Sequence, residues 1–340
     1  MRYPQFIKKG ATIGLCAPSL GCNIEPYATR LSSAIKHFEN LGFKIVETPH
    51  TRNNKKMESS DAKTRAREFI SLYLNPDVDY IFSVGGGEIM VEILPYLDFD
   101  KLRDVPPKFF QGYSDNTNLT YTLTTHLDIA TVYGPNFPEF GMSDWHESLK
   151  GNLKFMLGEK LTVNSFDKYE VDNLRKQPGK YLSSYNLTCQ TNWINLSGEE
   201  EIQLSGRLIG GCLDILISLC GTKFDKTKEF IEKYQDDGII WYLESCDLGV
   251  PGIIRALWQL KNAGWFKNAS GFIIGRPLNK ESVFDIDYKE AFYRHLKDLN
   301  VPVVIDADFG HVPPSFYIVS GALCKIKSKD SKGSIKYILE

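Results

Sequence analysis

Short apolar runs alternate with segments of helical period along most of this chain, and that rhythm restricts it to folds built on parallel strands. Residues 11–17 form an apolar run that stops at Pro18. Behind it Tyr27, Leu31, Ala34, Ile35, Phe38 and Leu41 recur at helical spacing, and Gly42 is placed to end the helix in the left-handed conformation. Residues 43–46 read as a second strand, and 61–74 as a helix with Ala66, Phe69, Ile70 and Tyr73 on one face. Residues 80–84 read as a third strand ending in Gly85-Gly86-Gly87, and a helix-like stretch then leads to Lys108-Phe109-Phe110. Parallel neighbours cannot be joined by a hairpin, so the helices must cross over and cover both faces of the sheet.

The rhythm breaks once. Residues 161–203 are polar, rich in Asn, Ser, Thr, Lys and Tyr, and are expected to form a linker and long loop. It then restarts, with strands predicted at 208–212, 238–243, 271–275 and 301–305 and helices at 213–219, 250–264 and 285–299. Residues 322–327 and 334–339, separated by Asp330-Ser331-Lys332-Gly333, predict a terminal hairpin. The expected architecture is α/β in two domains. An N-terminal parallel-sheet domain covers 1–160, and a second α/β domain covers 204–340.

Charge and composition narrow the function. With 340 residues and a formal net charge of −2 the chain has no basic field, which argues against a nucleic-acid partner. No apolar stretch approaches the ~20 residues that span a bilayer. The first residues lack the apolar core of a secretory signal, so the expected location is the cytoplasm, with no membrane partner. The seven cysteines are scattered without a Cys-x-x-Cys pair, and the six histidines show no metal-binding spacing. Reduced thiols, no metal and no cofactor are expected.

In open parallel sheets, chemistry collects at the carboxyl ends of strands. Three side chains hold that position here. Gly112-Tyr113-Ser114-Asp115 lies between an apolar run and a predicted helix, a turn that lifts a serine hydroxyl clear of the sheet and aims the amides of the helix start towards it. A serine there also serves as a helix cap. Glu244 follows the strand 238–243, where it can orient an imidazole, cap the next helix or pair with Arg255. His311 follows the strand 301–305, as a base or as a turn residue. Serine needs an imidazole to take its proton, and the imidazole needs a carboxylate to fix its tautomer, so Ser114, His311 and Glu244 are chemically a complete set. Gly85-Gly86-Gly87 reads either as an oxyanion amide or as an ordinary tight turn. It is neither a dinucleotide fingerprint nor a P-loop. Trp193, in the polar segment, can stack on a ligand or anchor the loop.

At these residues the chain resembles the LD-carboxypeptidase family of serine peptidases, which also contains the microcin C immunity proteins. The resemblance rests on Ile13-Gly14-Leu15-Cys16-Ala17-Pro18-Ser19, Val84-Gly85-Gly86, Leu94-Pro95-Tyr96-Leu97-Asp98, Gly112-Tyr113-Ser114-Asp115 and Tyr133-Gly134-Pro135 in the first half. Gly206-Arg207-Leu208-Ile209-Gly210-Gly211, Leu243-Glu244 and Phe309-Gly310-His311 carry it through the second half. It implies a nucleophile at Ser114, a carboxylate at Glu244, a base at His311 and oxyanion amides from Gly86 and Asp115. It also implies a homodimer and a small peptide or peptidyl-nucleotide substrate. Two departures bear on the substrate. Cys212 stands where many members have Asn, and Glu244-Ser245-Cys246-Asp247-Leu248 replaces the Glu-Asp-Ser-Leu-Lys of the immunity branch. Trp193 and Cys212 are therefore the candidate substrate contacts. Two rival readings remain at this point: a ligand-binding protein on the same scaffold, and an amidotransferase-like enzyme that uses a cysteine.

Overall fold

Five strands open the chain, β1 (Thr12–Cys16), β2 (Lys44–Glu47), β3 (Tyr80–Ser83), β4 (Phe109–Gly112) and β5 (Thr131–Tyr133), and they lie parallel in one sheet. The computed structural model describes residues 1–339. Helices follow where periodicity predicts them. Helix Tyr27–Asn40 ends before Gly42 at φ +91°, and helix Ala62–Leu74 starts at Asp61, whose carboxylate accepts the Thr64 N–H at 3.0 Å.

A middle group follows: β6 (Thr162–Asn164), β7 (Lys168–Glu170), β8 (Leu187–Gln190) and β9 (Ile194–Asn195). The second sheet then runs through β10 (Glu201–Cys212), β11 (Ile239–Glu244), β12 (Ala269–Gly275) and β13 (Val303–Ala307), all parallel. The chain ends with β14 (Ile318–Ser320), β15 (Leu323–Lys329) and β16 (Lys332–Ile338). The first sheet has the order β14-β5-β4-β3-β1-β2, and the second β6-β16-β15-β10-β11-β12-β13-β9.

The two α/β domains are less separate than the sequence suggests. β14, from the far end of the chain, pairs antiparallel with β5 and closes one edge of the first sheet. The alternation of β11 shows how the sheets face one another. Ile239, Trp241 and Leu243 pack with Ile253 and Leu257 of the helix Val250–Asn262, whereas Ile240 and Tyr242 join the cluster that holds Val132 and Tyr133 of the first sheet. Glu244 continues the second series, so its side chain points towards the first domain.

The segment 161–203 corrects the expectation of a long loop. β6 pairs with β16, β9 pairs with β13, and β7 with β8 forms its own hairpin. These strands are two to four residues long and mostly half-exposed, so apolar alternation has too few positions in which to show. The helix expected over 285–299 is shorter, Tyr288–Leu296, because Asp287 caps it by accepting the Glu290 N–H at 2.8 Å. Among the described residues, no helix is long and apolar enough to cross a membrane.

Trp193 is a second correction. It is 2% exposed, its indole N–H donates to Asp308 Oδ2 at 2.8 Å, and its ring lies where a Cβ on Gly333 would come within 2.0 Å. It is the anchor that ties the middle segment to the second sheet, not a ligand platform. Asp308 also accepts from Phe166 N at 3.2 Å, Thr191 Oγ1 at 3.3 Å and Arg276 Nη1 at 2.6 Å, so one buried carboxylate gathers four donors. Trp193→Ala should cost about 3–5 kcal/mol, from the cavity and the orphaned acceptor, as read by urea unfolding.

Candidate active site

Ser114 sits where β4 gives way to a helix, and its backbone is in the left-handed region at φ +65°. A non-glycine residue held there costs on the order of 1–3 kcal/mol, so its surroundings must enforce it. They do so with named contacts. A Cβ on Gly112 would come within 2.6 Å of Asn116, which is how tightly the turn folds back. The Asn116 amide donates to Gly85 O and to Tyr113 O, both at 2.9 Å. The Ser114 N–H donates to the Tyr133 hydroxyl at 3.1 Å, and register explains this, since β5 sets Tyr133 beside Gly112.

The Asp115 carboxylate is fully occupied. It accepts from Ser19 Oγ at 2.6 Å and from Met90 N and Asn118 Nδ2 at 2.9 Å, while burial pushes its carboxyl upward against the pull of those donors. It pins the loops after β1 and β3 to the serine turn. Gly86 and the Asp115 amide flank the hydroxyl. The point where a Gly86 Cβ would lie is 3.3 Å from Ser114 Oγ and 3.9 Å from Asp115 N. No side chain larger than hydrogen fits there without crowding the serine.

Glu244 ends β11 with 0% exposure. Its Oε2 receives His311 Nδ1 at 2.7 Å, and its Oε1 accepts the Tyr133 hydroxyl at 2.5 Å. His311 Nε2 lies 2.9 Å from Ser114 Oγ. An ionised carboxylate only accepts, so Nδ1 carries a proton, and in the neutral imidazole Nε2 offers its lone pair to the serine O–H. Burial disfavours both charges, yet the pairing wins. Glu244 is held below the usual carboxylate range by His311, Tyr133 and Cys212, and His311 is raised well above its ordinary value, chiefly by Glu244. The His311 loop is fixed from below, where Arg276 Nη2 donates to Val312 O at 3.1 Å and to Pro314 O at 3.0 Å. Ser114, His311 and Glu244, read at the ends of three separate strands, therefore meet in one hydrogen-bonded line. In it the imidazole can take a proton from Oγ and return it to a leaving group.

Cys212 is not a cleft residue. Register pairs it with Glu244, it is buried, and its N–H donates to Thr117 Oγ1 at 3.0 Å. Gly211 permits this approach, since a Cβ there would come within 2.5 Å of Thr117. The Cys212 thiol lies behind the carboxylate, with ligand-type atoms of Cys212, Glu244 and His311 within 4.8 Å of one another. The residues after Glu244 are held by Asp214, which accepts the N–H groups of Cys246, Asp247 and Leu248 at 2.8–3.1 Å.

A cleft of about 520 Å³ opens beside His311, walled by Tyr27, Arg30 and Tyr113 of the first domain and by Tyr169, Arg175 and Tyr185 around the β7–β8 hairpin. Both arginines are paired, Arg30 with Glu139 at 2.6 Å and Arg175 bidentate with Glu170 at 2.7 and 2.8 Å, and Lys176 and Lys280 add two further cations to the lining. Sequence reading missed this hairpin wall, and it missed Arg276 and Tyr133 as parts of the site. Tyr133 carried a usable signal, since it too ends an apolar strand.

A serine carried by one parallel sheet meets an imidazole and a carboxylate carried by another, an arrangement that fits a two-domain α/β serine peptidase. Sequence matching agrees, with the LD-carboxypeptidase N-terminal domain over residues 13–134 and the LD-carboxypeptidase C-terminal domain over residues 205–326. The chain belongs to the LD-carboxypeptidase family. The putative carboxypeptidase YocD of Bacillus subtilis (strain 168) is 26% identical over 333 residues, covering 96% of each chain. The microcin C7 self-immunity protein MccF of Escherichia coli is 26% identical over 340 residues, covering 96% of this chain and 93% of its own. The crystal structure of an MccF-like protein from Bacillus anthracis str. Ames superposes with a TM-score of 0.82 at 26% identity, over 100% of both chains.

Gly310, at φ +97°, has no room for a side chain, because a Cβ would lie 2.9 Å from Glu244 Oε2. Gly310→Ala should push the carboxylate off Nδ1. His311 should then titrate lower, by about one pH unit or more, as followed by the histidine ring C–H shifts in NMR.

Proposed function

We propose that this protein is a serine carboxypeptidase in which Ser114 is the nucleophile, His311 the general base and acid, and Glu244 the residue that orients His311. The observation that carries this reading is the 2.9 Å contact of His311 Nε2 with a serine held at positive φ on a strand-to-helix turn. Oγ attacks the scissile carbonyl as Nε2 takes its proton. The negative oxygen that forms turns towards the N–H groups of Gly86 and Asp115, which supply the oxyanion site. His311 then protonates the departing amine, and water, activated by the same nitrogen, releases the acyl group.

The bond cleaved is an amide next to a terminal residue that bears a free carboxylate, with the terminal D-alanine of a murein tetrapeptide as first candidate. A second reading, cleavage of an aspartyl–nucleotide amide, is favoured by the 26% identity to the microcin C7 self-immunity protein and by the tyrosine-walled cleft. In either case we infer a cytoplasmic homodimer that works without a cofactor. Incubation with a murein tetrapeptide and with an aspartyl–nucleotide conjugate, followed by mass spectrometry, separates the two. Release from neither defeats both readings.

Ser114→Ala should lower turnover of whichever substrate is accepted by roughly 10⁴-fold, and near-normal turnover would remove the serine from the mechanism. The base works only when neutral, and its pairing with Glu244 favours the charged imidazolium. Labelling of Ser114 by a fluorophosphonate should therefore rise with pH, with a midpoint above the ordinary histidine range. A midpoint at or below that range would count against His311 as the base.

A further inference from the structure

The hydrogen bonds at the site do not end at the carboxylate but return to the serine. Ser114 N–H donates to Tyr133 Oη at 3.1 Å, Tyr133 O–H donates to Glu244 Oε1 at 2.5 Å, Glu244 Oε2 accepts from His311 Nδ1 at 2.7 Å, and His311 Nε2 faces Ser114 Oγ at 2.9 Å. The direction of both bonds through Tyr133 is forced. A backbone N–H only donates, so Tyr133 Oη must accept from it, and the phenolic proton is left to point at a carboxylate that only accepts. Tyr133 is 1% exposed, so no water competes for either bond. It belongs to β5 of the first sheet, whereas Glu244 ends β11 of the second.

Given the roles proposed above for Ser114, His311 and Glu244, on which this assignment rests, we propose that Tyr133 is a positioning residue, which locks the Glu244 carboxylate and ties it to the backbone of the nucleophile. Its single hydroxyl does two things. It holds the serine amide, and with it the strained turn, in register with the second sheet. It also takes up part of the charge on Oε1, which weakens the hold of Glu244 on the imidazolium and leaves His311 more available as a neutral base. Other groups face the pair. Cys212 lies against Glu244, while Cys246, Glu88 and the ring of Tyr113 face His311. Of the groups around the pair, Tyr133 is the one that bonds both the carboxylate and the serine amide.

The test is the pH profile of fluorophosphonate labelling at Ser114, which requires no knowledge of the substrate. Tyr133→Phe keeps the ring and deletes both bonds. The labelling rate at its plateau should fall roughly 10- to 100-fold, the worth of a hydrogen bond to a charged group, and the acid limb should move to higher pH, because Glu244 then holds the imidazolium more strongly. Site-specific replacement of Tyr133 by 3-fluorotyrosine keeps the fold and makes the phenol a stronger donor, so the limb should move the other way. In a Glu244→Gln background, the limb shift caused by Tyr133→Phe should vanish, because the two residues act through one contact. Limbs unmoved by both Tyr133 changes would reduce Tyr133 to a packing residue and overturn the proposal, as would a Tyr133→Phe shift that persists in Glu244→Gln. Failure of the wild-type protein to label at all would instead defeat the assignment of Ser114.

Discussion

A carboxylate with no access to water governs this structure. Stripped of solvent, an unpartnered Glu244 would cost several kcal/mol, so everything around it must be arranged to receive its charge. Two groups bond it, the imidazole of His311 and the hydroxyl of Tyr133, while the Cys212 thiol lies close by and donates to Asp214 at 3.4 Å. His311 follows a strand of the second sheet, whereas Tyr133 belongs to the first. The two sheets cannot drift apart without exposing a partner-starved charge, so the electrostatics of one side chain help to fix the relation between the domains.

A second buried carboxylate performs the matching task on the outer side of the site. Asp308 receives Arg276, Trp193, Thr191 and the amide of Phe166, and Arg276 in turn holds the carbonyls on both sides of Pro313. The imidazole is therefore steadied twice, by Glu244 through its own ring nitrogen and by Arg276 through the backbone that carries it. All of these contacts are made within the chain, which suits chemistry that depends on fixed donors.

The strand-and-helix rhythm was legible because buried parallel strands and amphipathic helices leave opposite marks on a sequence. Leu213–Leu219 and Ile239–Glu244 can be found from apolar content alone. The line of Ser114, His311 and Glu244 was legible because each side chain ends such a strand. What the sequence hid is what depends on pairing between distant edges. β6 and β9 each offer two or three residues to the margins of the second sheet, and β14 offers three to the first, too few for any period to appear. Trp193 could be read as a ligand contact or as an anchor, since its neighbours are polar and its partner, Asp308, lies more than a hundred residues away. Tyr133 closes the apolar stretch 129–133, but only the register of β4 against β5 shows that its hydroxyl falls beneath the serine amide.

The return of β14 to the first sheet has a consequence for how such a chain is made. Synthesis proceeds from the amino end, and β1 to β5 emerge long before residues 318–320. Until those residues leave the ribosome, β5 presents unpaired backbone groups along its outer edge, the kind of surface that recruits stray strands. The nascent first domain is thus a half-finished sheet throughout translation of the second. Its maturation is a late, whole-chain event rather than the first of two independent steps.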